Sequence, residues 1–169
     1  KCWLRSNFIK HNLNEELLTY TFAPPKPKSW IKNDSKWLDS NNIIDVMKQY
    51  EYKYPEYSFI GPSPVDYNYI KYGNECVWPE LCNFDIKQHI QNNIKKIGII
   101  FNTDPHYKSG EHWVSLFINL NSNNHYIFYF DSNGDKIPQK INDFKKNVIS
   151  QYKKLYDKTL KYINNYYIS

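Results

Sequence analysis

A histidine and an aspartate stand at the two ends of a predicted β-hairpin, and both residue types can hold or move a proton. His112 follows a polar loop, residues 102–111, and directly precedes a long apolar run. A histidine at the mouth of a strand is held by a rigid element and can still be reached by a substrate. This is the placement that a general base requires.

Asp131 follows the next apolar run, residues 126–130, and begins an Asp-Ser-Asn-Gly turn. If runs 113–120 and 126–130 pair as an antiparallel hairpin, the start of the first lies beside the end of the second. His112 and Asp131 would then be neighbours. The carboxylate can accept a hydrogen bond from one ring nitrogen and leave the other to take a thiol proton.

The other histidines are weaker candidates. His106 lies in an Asp-Pro-His loop and competes with His112, but no strand holds it. Three further histidines have no partner that the sequence reveals: His11, His89 and His125. Taken alone, His112 could be a surface or packing histidine, and the aspartate could be a turn residue.

The second half of the chain has the clearest pattern of secondary structure. Apolar runs predict strands at 96–101, 113–120 and 126–130. The apolar spacing then changes to three and four residues, which predicts one face of a helix: Ile137, Ile141, Phe144, Val148, Tyr152 and Leu155. A final apolar stretch, 162–168, predicts another strand.

The first half of the chain gives weaker signals. The predicted elements are a short helix at 12–20 capped by Asn14, a stiff Pro-rich connector ending at Lys28, a helix capped by residues 40–42, a strand at 57–60 and a helix at 80–93. The helix after the caps should end near Tyr54, because Pro55 disfavours helical backbone in the residue before it.

This order of elements predicts an α+β fold with a central, mostly antiparallel sheet flanked by helices. A chain of 169 residues is typical of a single domain. We predict an N-terminal extension and connector over residues 1–28 and a catalytic core over residues 29–169.

The charge pattern argues against a nucleic-acid or membrane protein. The net charge is +5 and the pI is about 8.9, but the lysines are scattered and no nucleic-acid motif is visible. A solvated, Lys-rich surface is the simpler interpretation. No apolar run is long enough to span a bilayer, and we find no signal peptide.

The chain has three cysteines, Cys2, Cys76 and Cys82. An odd number does not indicate a disulfide framework, and the spacing of Cys76 and Cys82 lacks the paired ligands of a zinc site. We therefore expect free, buried, inert thiols and a reducing compartment. The sequence predicts no metal and no cofactor.

Three segments carry a resemblance to a known family: 97–106, 110–117 with its Gly-Glu-His-Trp motif, and 129–134 with Tyr-Phe-Asp-Ser-Asn-Gly. They resemble the polyprotein-processing cysteine proteases of large cytoplasmic DNA viruses, the group that includes African swine fever virus. That group is part of the SUMO-protease and adenovirus-protease superfamily. The resemblance implies a papain-like cysteine protease fold, with His112 as general base and Asp131 as its orienting residue.

An upstream segment, residues 35–47, resembles the Trp-Leu-Asn-Asp segment of SUMO proteases. There the tryptophan helps to wall a tunnel that admits Gly-Gly-like substrates. The matching positions are Trp37 and Trp113, which the resemblance implies as substrate-binding residues. Two flat rings can clamp a backbone that carries no side chains, although each ring could equally be a core residue.

The chain departs from the family pattern after the last predicted strand. In the family, a Gln that builds the oxyanion hole and then a Cys-Gly pair follow that strand. Here the chain ends at Ser169, and none of the cysteines stands in the expected context. We expect the nucleophilic cysteine beyond Ser169 and no activity from these 169 residues alone.

The resemblance leaves three functions open. The first is a cysteine-type endopeptidase that cleaves viral structural polyproteins after Gly-Gly or Ala-Gly type residues, in the host cytoplasm (viral factory) and the virion. The second is a protease that removes SUMO or another ubiquitin-like modifier. The third is a catalytically dead relic that binds a peptide in a Trp-lined groove. The expected partner is a protein substrate, without specific nucleic acid and without a membrane; the oligomeric state is not predicted.

Overall fold

The computed structural model describes residues 22–26, 28–31, 35–71, 73–121 and 123–166. The chain divides into two compact units, Lys1–Trp37 and Leu38–Ser169. The described part of the first unit holds one short 3-10 turn, Lys28–Ile31. The helix predicted at 12–20 lies outside the described residues.

The second unit is built on a five-stranded sheet with its strands in chain order. The strands are β1 Tyr57–Pro64, β2 Lys96–Asn102, β3 Trp113–Asn119, β4 Tyr126–Phe130 and β5 Lys161–Asn164. The three central strands pair antiparallel, as expected, whereas β1 joins β2 and β5 joins β4 in parallel. The predicted α+β fold class is confirmed, and the sheet as a whole is mixed because each outer pair is connected by a helical crossover.

Four α-helices are described: α1 Ser40–Lys53, α2 Pro79–Cys82, α3 Ile86–Gln91 and α4 Gln139–Tyr156. The cap of α1 is Asp39, whose carboxylate accepts a 2.9 Å hydrogen bond from the Asn42 main chain, rather than the predicted residues 40–42. The helix ends before Tyr54, as predicted.

The single helix predicted at 80–93 is two short helices, α2 and α3. The chain turns between them, and the side chain of Asp85 begins α3 by accepting a 2.8 Å hydrogen bond from the Lys87 main chain. Aspartate is a favoured N-cap because its carboxylate satisfies a main-chain N–H that the helix leaves without a partner.

The core lies between α4 and one face of the sheet. The predicted helical stripe is buried at Ile141, Phe144, Val148 and Tyr152, whereas Leu155 is 40% exposed. The facing side chains come from alternate positions of the strands: Ile97, Ile99, Phe101, Val114, Leu116, Ile118, Ile127 and Tyr129. Burying one such side chain stabilises the fold by about 1.5–3 kcal/mol.

The strand directions bring several loops to one edge of the sheet. The C-terminal ends of β1, β2, β4 and β5 lie there together with the start of β3. The loops that follow β1 and β2 are joined directly, since the Val65 main chain donates a hydrogen bond to the Asp104 carbonyl. We call this boundary the site edge, because His112 and Asp131 both lie on it.

A disulfide joins Cys76 to Cys82 in the connection between β1 and α3. The expectation of free thiols at these two positions is therefore wrong, and the case for a reducing compartment loses their support. An odd count of cysteines does not prevent one local pair from forming. Cys2 lies outside the described residues.

Candidate active site

The main chain of His112 is fixed by an extension of the β2–β3 ladder. The Thr103 main chain donates a 2.9 Å hydrogen bond to the His112 carbonyl. Beneath the loop, the buried Asn102 side chain accepts hydrogen bonds from the main chains of Asp104, at 2.9 Å, and Glu111, at 3.3 Å. The residue that the sequence predicted as a base is thus held by its neighbours on both sides.

Asp131 lies directly beside His112, as the hairpin argument predicted. Its Oδ1 is 2.6 Å from Nε2 of His112, and its side chain is only 3% exposed. Because an ionised carboxylate can only accept a hydrogen bond, Nε2–H is the donor. No residue in the described part of the chain hydrogen-bonds Nδ1, and the His112 side chain is 25% exposed. The pair therefore leaves Nδ1 available to take a proton from a group outside it.

The carboxylate of Asp131 is held by two further groups. The Asn133 main chain donates to Oδ1 at 2.8 Å, and the Tyr129 hydroxyl donates to Oδ2 at 3.4 Å. Burial raises the pKa of the Tyr129 phenol, and the nearby Asp131 charge raises it further. The phenol therefore keeps its proton and remains a donor to the carboxylate.

The main chain of Asp131 is held by Asn165, which follows β5. The Asp131 main-chain N–H donates to Oδ1 of Asn165 at 3.0 Å, and Nδ2 of Asn165 donates to the Asp131 carbonyl at 2.7 Å. The sequence analysis missed this residue. The doubled Asn at 164–165, inside the strand predicted at 162–168, was the one available signal, and it gave no partner.

The family assignment comes from the same region of the chain. Residues 83–167, half of the chain, match the model of the Ulp1 protease family, C-terminal catalytic domain. The chain belongs to the Ulp1 protease family. The matched residues include both His112 and Asp131, and the suspected family resemblance is confirmed.

Relatives in two viruses support this assignment. A protein of Acanthamoeba polyphaga mimivirus with a thiol protease name is 31% identical over 144 residues, which cover 85% of this chain and 42% of that protein. The SUMO-1 cysteine protease of African swine fever virus is 26% identical over 151 residues, 86% of this chain and 54% of the relative. The chain thus spans about half the length of the curated relatives that it matches.

The solved structures show the same fold. A crystal structure of the African swine fever virus protease matches with a TM-score of 0.64 at 20% sequence identity, covering 96% of this chain and 58% of that one. Its selenomethionine form matches with a TM-score of 0.63. The expected protease fold is therefore confirmed for the described region.

The two tryptophans proposed from the family pattern lie in different units. Trp113 begins β3, is half-buried, and donates a 3.1 Å hydrogen bond from Nε1 to the Leu38 carbonyl. Trp37 ends the N-terminal unit and its side chain is 81% exposed. Substrate binding by Trp37 and Trp113 stays a prediction.

His106 has a partner that the sequence did not reveal. Its Nδ1 is 2.7 Å from Oδ2 of Asp66, and its main chain donates to the other oxygen of Asp66 at 2.8 Å. The ring also stacks on Tyr69, with the ring centroids 5.3 Å apart. The His106 ring is therefore engaged on one face and at Nδ1.

The two remaining described histidines, His89 and His125, contact other groups, and His11 lies outside the described residues. Nδ1 of His89 lies 3.0 Å from the Asp85 carbonyl, and the ring of His125 packs against Tyr152. Among the described residues, no group of three or more His, Cys, Asp and Glu side chains is placed to hold a metal ion. No helix in the described part of the chain has the length and apolarity needed to cross a membrane.

Proposed function

We propose that this chain is the larger part of a cysteine endopeptidase domain in which His112 is the general base and Asp131 orients it. The observation that carries the proposal is the 2.6 Å contact from Nε2 to the buried carboxylate. This contact fixes the ring and leaves Nδ1, which no described residue hydrogen-bonds, to serve as the proposed base. A buried carboxylate also stabilises the imidazolium that forms once Nδ1 has accepted that proton.

The reaction follows from this geometry. Nδ1 takes the thiol proton, and the thiolate attacks the carbonyl carbon of the scissile bond. The imidazolium then returns its proton to the leaving amine as the C–N bond breaks and a thioester forms. Water, deprotonated by the same nitrogen, hydrolyses the thioester and restores the thiol. Main-chain or amide donors must stabilise the oxyanion at each attack.

The nucleophilic cysteine is proposed to lie in a segment that follows Ser169. Cys76 and Cys82 are joined to each other, so neither offers a free thiolate. The chain covers only 42% and 54% of two viral relatives, so those proteins have room for such a segment. We therefore expect residues 1–169 alone to be inactive.

The substrate is proposed to be a viral structural polyprotein, cleaved after Gly-Gly or Ala-Gly type residues in the host cytoplasm and the virion. Viral relatives with protease names support the class. A ring at Trp113, anchored by the Leu38 carbonyl, could cover a substrate backbone that has small side chains.

The test uses the chain extended by its downstream reading frame, called here the extended protein, and a fluorogenic Gly-Gly-X peptide. Wild type should cleave the peptide, His112→Ala should reduce kcat by about 10²–10⁴-fold, and His89→Ala should leave cleavage unchanged. Failure of the wild-type extended protein to cleave, or full cleavage by His112→Ala, would overturn the assignment.

A second candidate is removal of SUMO or a similar modifier, which the family name and the name of the African swine fever virus relative favour. The same two residues would serve it. A ubiquitin-like vinyl-sulfone probe that labels the extended protein in preference to a Gly-Gly-X peptide probe would select this function. Labelling by neither probe would favour a peptide-binding relic.

A further inference from the structure

The parallel pairing of β4 with β5 ends at Tyr129, two residues before Asp131. The last partners in that register are Tyr129 and Asn164. Beyond them, Asp131 has left the strand and no main-chain group of β5 reaches it. Buried main-chain N–H and C=O groups require partners, since each unpaired group is unfavourable.

The carboxamide of Asn165 takes the place of the missing strand. It accepts from the Asp131 N–H at 3.0 Å and donates to the Asp131 carbonyl at 2.7 Å. A carboxamide has the donor and the acceptor of a peptide group, so one side chain reproduces both bonds of a ladder step. The only other contact of this carbonyl among the described residues is the local turn bond from the Gly134 main chain.

We propose that Asn165 is a positioning residue for the proposed protease reaction, acting by fixing the Asp131 peptide so that its carboxylate stays on Nε2 of His112. This inference rests on the proposed function. The Tyr129 hydroxyl and the Asn133 main chain hold the carboxylate itself. Asn165 fixes the main chain from which that carboxylate extends, because it hydrogen-bonds both main-chain polar groups of Asp131.

Asn165 also ties the site to the end of the helical crossover. Asp131 and Asn165 are 34 residues apart, and α4 fills most of that separation. The Asp131 peptide is therefore held in this way only when β5 has docked beside β4. Without the carboxamide, the Asp131 main-chain N–H would have no hydrogen-bond partner among the described residues.

The first experiment needs no enzyme activity and uses residues 1–169. Asn165→Leu keeps the side-chain volume and removes both hydrogen bonds. Asn164→Leu is the matched control, because the exposed Asn164 side chain accepts only from the Tyr166 main chain. The readout is the His112 Nε2–H proton in NMR spectra, which a short bond to a carboxylate moves downfield and protects from exchange.

We expect the downfield signal in wild type and in Asn164→Leu, and its loss in Asn165→Leu with the remaining spectrum folded. Retention of the signal in a folded Asn165→Leu would overturn the proposal, because a purely structural role alters stability without moving this proton. If Asn165→Leu does not fold, Asn165→Ala is used with the same two outcomes.

The second experiment measures kinetics in the extended protein. Asn165→Leu should lower kcat by about tenfold to a hundredfold and leave KM unchanged, since the residue touches no substrate. An unchanged kcat, or a change in KM alone, would overturn the positioning role. An inactive wild type would instead count against the proposed function, and the NMR result would still decide the role of Asn165.

Discussion

Two His–Asp pairs lie on the site edge, and they differ in which nitrogen is used. His112 contacts Asp131 through Nε2 at 2.6 Å, whereas His106 contacts Asp66 through Nδ1 at 2.7 Å. Both histidine side chains are 25% exposed, but the Asp131 carboxylate is 3% exposed and the Asp66 carboxylate 18%.

The pairs also differ in what holds their main chains. Asp66 accepts from both the ring and the main chain of His106, so that one carboxylate fixes the loop and its side chain together. His112 is fixed by Thr103, and this leaves its ring contact with Asp131 to set orientation alone. In the proposed protease, the catalytic pair is thus the one whose main chain is positioned by other groups, and its ring contact sets orientation.

The largest expected effect comes from removing each carboxylate in turn. In the extended protein, Asp131→Ala should lower kcat by about 10²–10⁴-fold, because the ring loses its orientation and its counter-charge. Asp66→Ala should lower kcat by less than about tenfold, since His106 only shapes the loop. The measurement is steady-state cleavage of a Gly-Gly-X peptide.

Equal losses of kcat in the two variants would contradict the expected difference between the two His–Asp pairs. They would make His106 a second candidate base. In that case His106→Ala, tested with the same peptide, would have to match His112→Ala.

The next effect concerns the glycine that shapes the loop before His112. Gly110 has a φ of +92°, and a Cβ there would lie 2.6 Å from Nδ2 of Asn102. Gly73 is the matched control, with a φ of +88° and nothing within 4 Å of its Cβ. Both Ala variants should lose about 1–2 kcal/mol of unfolding free energy from left-handed backbone, and Gly110→Ala should lose more.

Urea unfolding of residues 1–169 measures both variants. Equal losses of unfolding free energy in the two Ala variants would mean that the Asn102 side chain moves aside without a further loss of stability. The His112 Nε2–H signal should shift only in Gly110→Ala.

An effect of similar size is expected from the Asp66–His106 pair. Asp66→Ala should lower the free energy of unfolding by about 1–3 kcal/mol, because the main chain of His106 loses a charged acceptor. A double-mutant cycle with His106→Ala should give a coupling energy of about 0.5–3 kcal/mol. Strict additivity in urea unfolding would show that the observed contact contributes nothing to stability.

The smallest effect on the site is expected from the disulfide. Replacing both Cys76 and Cys82 by Ser should lower thermal stability and leave the His112 Nε2–H signal in place, because the bridge closes a short local loop. Heating and NMR of the same sample test both statements. A shifted His112 signal would mean that the bridge supports the catalytic pair as well as its own loop.

Local patterns predicted most of the second half of the fold. The strands β2 and β3 are visible as nearly continuous apolar runs, and α4 is visible as an apolar repeat near 3.6 residues. The hairpin that joins β3 to β4 is equally local. The hairpin is therefore enough to predict His112 beside Asp131 from the sequence alone.

Contacts between distant segments were not predictable in the same way. The Asp66–His106 pair joins residues 40 apart, and the Asn165–Asp131 pair joins residues 34 apart. The sequence around a single asparagine or aspartate does not indicate such a distant partner. The parallel pairing of β1 with β2 was not predicted for the same reason, since a crossover connection separates the two strands in the sequence.

The disulfide was missed through a counting argument. Three cysteines suggested free thiols, yet Cys76 and Cys82 are close enough in sequence to pair with each other. The single helix predicted at 80–93 is two helices because Asp85 caps the second of them, a role that the apolar pattern alone does not indicate.

The hydrogen bonds between the Asn165 carboxamide and the Asp131 main chain affect the order of folding. The hairpin that places His112 beside Asp131 closes within 19 residues, whereas the Asn165 bond closes 34. Local contacts form earlier than distant ones because shorter loops lose less chain entropy on closing. A chain emerging from the ribosome would therefore bring His112 and Asp131 together first. The hydrogen bonds from Asn165 to Asp131 would form last, after α4 has been synthesised and docked.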